Sequence, residues 1–164
     1  MDAKTIFELL KDQGKMLVTA ESCTGGMIAT QLTEFAGSSE VFERGFVTYS
    51  NQAKMDCLGV SAETLDSFGA VSADTAEEMA LGALRHSMAD LAVSVTGIAG
   101  PSGGTIDKPV GLVFIGVVGR NTPALVNKYV FSGDRSKVRE QAVRAAFKQI
   151  SEYISIIPAQ AGIS

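Results

Sequence analysis

Tryptophan is absent from these 164 residues, tyrosine occurs three times and histidine once. So few aromatics argue against the stacking platform on which single-strand binders lay their bases. The lone histidine, His86, leaves little material for a transition-metal site, and a Ser-His-Asp triad would have to be built on it. It falls at the flank of an apolar helical stripe, which reads as a surface position. The two cysteines, Cys23 and Cys57, are too few and too far apart for a zinc site or a disulfide framework. Basic runs are missing and the net charge is −4, so no nucleic-acid partner is expected. No apolar stretch approaches the ~20 residues that span a bilayer. Met1–Lys4 lacks the start of a signal peptide. A cytoplasmic protein with reduced thiols, no metal and no membrane partner is the expectation.

What is present suits one ordinary globular domain: 46% of residues are hydrophobic and 20% charged. A single domain over 1–157 with a loose tail at 158–164 is expected. The 17 glycines cluster at a few places, which makes them positional rather than compositional.

Periodicity and punctuation predict helices over Lys4–Gln13, Met27–Phe35, Asn51–Leu58 and Ala62–Phe68, a long one capped by Ser72, and a last one from Asp134 to Ile154. Strands are predicted over Met16–Ala20, Phe42–Ser50, Leu91–Val95, Val110–Val118 and Leu125–Phe131. Alternating strands and helices in the first two-thirds imply parallel crossovers, and the Pro123 turn implies a hairpin. The expected fold is an α/β, three-layer α/β/α sandwich on a mixed, mostly parallel sheet of about five strands.

Four segments join glycine to reactive polar side chains. Ala20–Gly26 lies where a strand gives way to a helix, so its amides suit a phosphate or oxyanion beside Ser22. Equally, Ser22 or Thr24 would serve as a plain cap. Val47–Lys54 closes a strand with four polar residues and sets Lys54 one turn inside a helix. A lysine that loses its proton near neutrality is a general base, but on residues alone a solvated helix lysine is the better reading. Thr96–Thr105 carries four glycines in eight residues after a buried strand, marking close backbone approach. It is neither a phosphate loop of the Gly-Lys-Ser/Thr kind nor a dinucleotide fingerprint. Finally, Arg135, Lys137 and Arg139 crowd the start of a helix, where the macrodipole disfavours each by ~0.3–1 kcal/mol. An anionic ligand at Arg135 would reverse that cost.

Together these segments resemble the CinA C-terminal-domain family, which includes PncC-type nicotinamide-mononucleotide deamidases. The resemblance rests on AESCTGG at Ala20–Gly26, GFVTYSN at Gly45–Asn51 with Lys54, GIAGPSGGT at Gly97–Thr105 with KPVG at Lys108–Gly111, and SGDR at Ser132–Arg135 with Val138-Arg139. Because the chain starts directly at this domain, it looks like the stand-alone form. The resemblance implies hydrolysis of nicotinamide mononucleotide to nicotinate mononucleotide and ammonia in pyridine-nucleotide recycling. It further implies no cofactor or metal and a homo-oligomer, commonly a dimer. The family's serine falls on Ser22, its lysine on Lys54, its arginine on Arg135, and Tyr49 falls beside them.

On this reading Ser22 attacks, with the adjacent Cys23 as a second candidate. Lys54 shuttles the proton and Tyr49 orients Lys54 or the pyridine ring. The amides of Thr24, Gly25 and Gly26 hold the oxyanion, while Gly103, Gly104, Thr105 and Arg135 compete for the phosphate. Ser22 and Lys54 must then lie within hydrogen-bonding reach. The rival readings are a non-catalytic nucleotide-binding or regulatory module linked to competence or DNA damage, and hydrolysis at phosphate.

Overall fold

The computed structural model describes residues 1–157; the tail expected at 158–164 lies outside them. Helices are α1 (Ala3–Gln13), α2 (Met27–Leu32), α3 (Asn51–Leu58), α4 (Ala62–Phe68), α5 (Ala73–Arg85) and α6 (Arg135–Ile156). Strands are β1 (Leu17–Glu21), β2 (Phe42–Val47), β3 (Leu91–Gly97), β4 (Leu112–Gly119) and β5 (Leu125–Val130), and one 3-10 turn covers Ser38–Glu40.

The sheet runs in the order β2-β1-β3-β4-β5. β1 is parallel to both β2 and β3, whereas β4 is antiparallel to both its neighbours. Four of the five strands therefore point one way, and the mixed, mostly parallel sheet and the Pro123 hairpin are as expected. Successive residues of the central strands enter different layers. Val93 and Val95 join the core under α1, α2 and α6, while Ala92 joins the one under α3, α4 and α5.

Several predicted boundaries shift by one to three residues, and three of the shifts have a visible cause. α2 stops at Leu32 rather than Phe35, because the Thr33 hydroxyl donates to the carbonyls of Ala29 and Thr30 and competes with the helix ladder. β2 ends at Val47, and Ser50 instead caps α3 by accepting from the Ala53 amide. β4 starts at Leu112, since Gly111 has φ 96° and cannot extend the strand. The Ser72 and Asp134 caps are as predicted, accepting from the Thr75 and Lys137 amides.

One contact sets where α3 lies. At Gly82 of α5 a Cβ would stand 1.9 Å from the Leu58 carbonyl oxygen, so only glycine lets the two helices cross so closely. Leu58 is buried there among Met79, Ala80 and Ala83. Lys54, one helical turn earlier on the same face, is buried with it.

Candidate active site

The chain leaves β1 to form β2 on one side and later β3 on the other, so the C-terminal end of β1 is the switch point of the sheet. Ligand crevices of open α/β sheets form at such points. A cavity of about 250 Å³ opens there, lined by Ser22 and Cys23, Tyr49 and Lys54, the Ala70-Val71 turn, Thr96–Gly100, Ser102, Gly103 and Arg135. That is just below the roughly 300–1,000 Å³ of common ligand pockets, and it suits a small molecule better than a polymer.

Ladder bonds hold the strand ends in place: the Ser22 amide donates to Val95 O at 2.9 Å and the Thr48 amide to Glu21 O at 3.0 Å. Beyond them the chain turns through Gly25 and Gly26, whose φ values of 58° and 103° other residues reach only with strain. Ser22 is left at the mouth of the turn.

Lys54 Nζ lies 3.0 Å from Ser22 Oγ, 2.9 Å from Thr48 O and 3.3 Å from Tyr49 O. The lysine is 1% exposed, which overturns the solvated reading its residue context favoured. Burial pushes its pKa below the ordinary lysine value, with the Cys23 sulfur opposing weakly. Among the described residues no carboxylate pairs with it. The ammonium donates to both carbonyls and to the Ser22 hydroxyl; once it gives up a proton, its two N–H bonds can keep the carbonyls and its lone pair can face Ser22. The Cys23 thiol beside it is buried and pushed up to about 11, so it stays protonated at neutrality.

The other expected residues divide. The Tyr49 side chain swings to the rim, 61% exposed, where its hydroxyl accepts from Arg135 Nη2 at 2.9 Å; its carbonyl, not its ring, meets Lys54. Arg135 Nη1 donates to Gly100 O at 2.9 Å, so one guanidinium bridges the two loops of the mouth. Gly103 lines the cavity, but Gly104 and Thr105 do not. Thr105 instead closes a turn with Lys108, amide to carbonyl at 2.7 Å.

Thr24, Gly25 and Gly26 also stand off the cavity lining. The Gly25 amide is taken by Ser22 O, while among the described residues those of Cys23, Thr24 and Gly26 have no acceptor on another residue, and Thr24 is fully buried. His86 caps the far end of α5 and is exposed, as expected.

Three contributors were missed as individuals. The Glu21 carboxylate is fully buried and accepts from the Thr24 hydroxyl at 2.6 Å, the Ile28 amide at 2.9 Å and the Ala29 amide at 3.2 Å. It fills the helix N-terminus that the sequence offered to an external anion. An acid placed just before a glycine turn and a helix start was the available signal. Arg139 of α6 donates to Cys23 O and lies near Thr24 O, and its place in a crowd of cations hinted at such a duty. The Thr96 hydroxyl ties the end of β3 to Ala70 O at 2.7 Å, which only the assembled fold reveals.

The class so defined is an α/β/α protein with a buried Ser–Lys pair at the switch point of its sheet. The chain belongs to the CinA C-terminal domain family, whose model matches residues 2–154. It is 56% identical over 133 residues to the nicotinamide-nucleotide amidohydrolase PncC of Enterobacter agglomerans, covering 81% of each chain. It is 49% identical over 153 residues to the CinA-like protein of Chloroherpeton thalassium, spanning 92% of this chain but 36% of that one. The crystal structure of the competence/damage inducible protein CihA from Agrobacterium tumefaciens superposes with a TM-score of 0.89 at 51% identity over 92% of both chains.

Proposed function

We propose that this chain hydrolyses the carboxamide of nicotinamide mononucleotide, giving nicotinate mononucleotide and ammonia, and so serves pyridine-nucleotide recycling. The observation that carries the reading is the 3.0 Å contact between Ser22 Oγ and a buried Lys54 Nζ that has no carboxylate partner among the described residues. A module that merely binds nucleotides has no need of such a pair. The name of the Enterobacter relative supports the substrate.

Ser22 Oγ attacks the carboxamide carbon as its proton passes to Lys54 Nζ. The tetrahedral oxyanion meets the Cys23 amide at the cavity wall. As the C–N bond breaks, Lys54 returns the proton to the leaving nitrogen and ammonia departs. Water then attacks the ester on Ser22, giving its proton to Lys54, which restores the Ser22 hydroxyl as the acid leaves. Arg135, with Gly103 beside it, takes the ribose phosphate, and the exposed Tyr49 ring lies where it can cover the pyridine. The reading includes a cytoplasmic location and a homodimer, for which the exposed Val47 and Val130 on the sheet edges offer apolar surface.

Ammonia release from nicotinamide mononucleotide, measured with EDTA present, tests the reading. Stoichiometric ammonia and nicotinate mononucleotide are expected. Phosphate or pyrophosphate release instead, or no product at all, would sink it.

A further inference from the structure

We propose that Arg139 is a positioning residue that holds the turn following Ser22 and so keeps the Cys23 amide in place for the oxyanion. The inference rests on the amide hydrolysis proposed above. Arg139 sits in the second turn of α6, 116 residues along the chain from the loop it grips. Its Nε donates to Cys23 O at 2.9 Å, and its Nη2 lies 3.4 Å from Thr24 O. Among the described residues it forms no ion pair, so this half-buried cation spends its donors on main-chain carbonyls.

In a planar trans peptide the carbonyl and the following N–H point opposite ways. Holding the Cys23 carbonyl on the α6 side therefore turns the Thr24 N–H away from α6. Of the neighbouring amides, Gly25 is committed to Ser22 O, Met27 to Thr24 O, and Ile28 and Ala29 to Glu21, while that of Gly26 has no acceptor among the described residues. Arg139 thus fixes the turn by its carbonyls and Glu21 fixes it by its amides. The Cys23 N–H, directly after Ser22 and at the cavity wall, leads into this doubly anchored turn, whereas Thr24 is fully buried. The guanidinium's field also favours negative charge growing on the far side of the loop.

The test uses Arg139→Gln, Arg139→Lys and Arg139→Ala, with kcat and KM for ammonia release from nicotinamide mononucleotide and Tm measured for each. For Arg139→Gln, kcat should fall about 10- to 100-fold, less than the loss of an oxyanion donor itself. KM should move by less than about threefold. Arg139→Lys should keep an intermediate kcat with a Tm near wild type. Free guanidinium should restore part of the kcat of Arg139→Ala without restoring its Tm.

A rise in KM at unchanged kcat, seen for the mononucleotide and not for its riboside, would assign Arg139 to the phosphate and overturn the inference. Equal kcat losses in the lysine and glutamine variants that track Tm, without guanidinium rescue, would overturn it too. Failure of the underlying reaction is separately visible, as wild-type protein that releases no ammonia.

Discussion

Ser22 and Cys23 are adjacent, yet their environments differ in the one respect that matters to a nucleophile. Lys54 Nζ touches Ser22 Oγ, whereas burial holds the Cys23 thiol protonated with a pKa of about 11. Ser22→Ala should therefore lower kcat by at least ~10³-fold with folding intact, and Cys23→Ala by far less. Steady-state kinetics on both variants check the ranking, and the reverse order would hand the role to the thiol. Lys54 adds a pH signature. Its folded pKa lies below the unfolded value of 10.5, so between the two the unfolded chain binds more protons and stability rises with pH. Denaturant melts up to pH 9, where an unfolded cysteine begins to ionise, should show that rise in wild type and a flatter profile in Lys54→Met. Activity should fall on acidification through the same folded pKa, because a protonated amine takes no proton from Ser22.

Helix α2 carries its own counter-charge at its N-terminus. Glu21 Oε1 accepts from Thr24 and Ile28, and Oε2 from the Ala29 amide. Glu21→Gln must set an NH2 group against one of these donors. It should cost about 1–3 kcal/mol of stability, read by chemical denaturation, and kcat should fall as the turn behind Ser22 loosens. Gain of stability would show that the carboxylate is not holding the turn. Helix α3 shows what its eight residues conceal. Asn51–Leu58 has no clear apolar stripe, so nothing in the pattern marks the Lys54 face as inward. That face is decided by α5, whose Gly82 lets Leu58 dock and brings Lys54 in with it. By contrast, the buried face of the long helix α5, with Ala76, Met79, Ala80 and Ala83, recurs at helical spacing that is legible in the sequence.

Across the whole molecule, the mouth of the cavity is closed by residues far apart in sequence: Arg135 at the start of α6 bridges Gly100 after β3 and Tyr49 after β2. Arg135→Ala should raise KM for the mononucleotide roughly ten- to a hundredfold, as a lost charge-assisted contact implies, and barely affect the riboside. Equal losses on both substrates would give Arg135 a part in the chemistry. The sequence by itself determined the layers, the five strands and the places where glycine loops meet strand ends, because hydrophobic period, caps and turn residues are local properties. It also brought out Ser22, Lys54 and Arg135 as candidates through their motifs. Only the tertiary structure decided that Lys54 is buried and that the Tyr49 ring faces the rim rather than the lysine. It alone decided, too, that Arg139 grips the nucleophile turn. Each of these depends on which chain segment packs opposite, and no local pattern encodes such a neighbour, which for Arg139 lies 116 residues away.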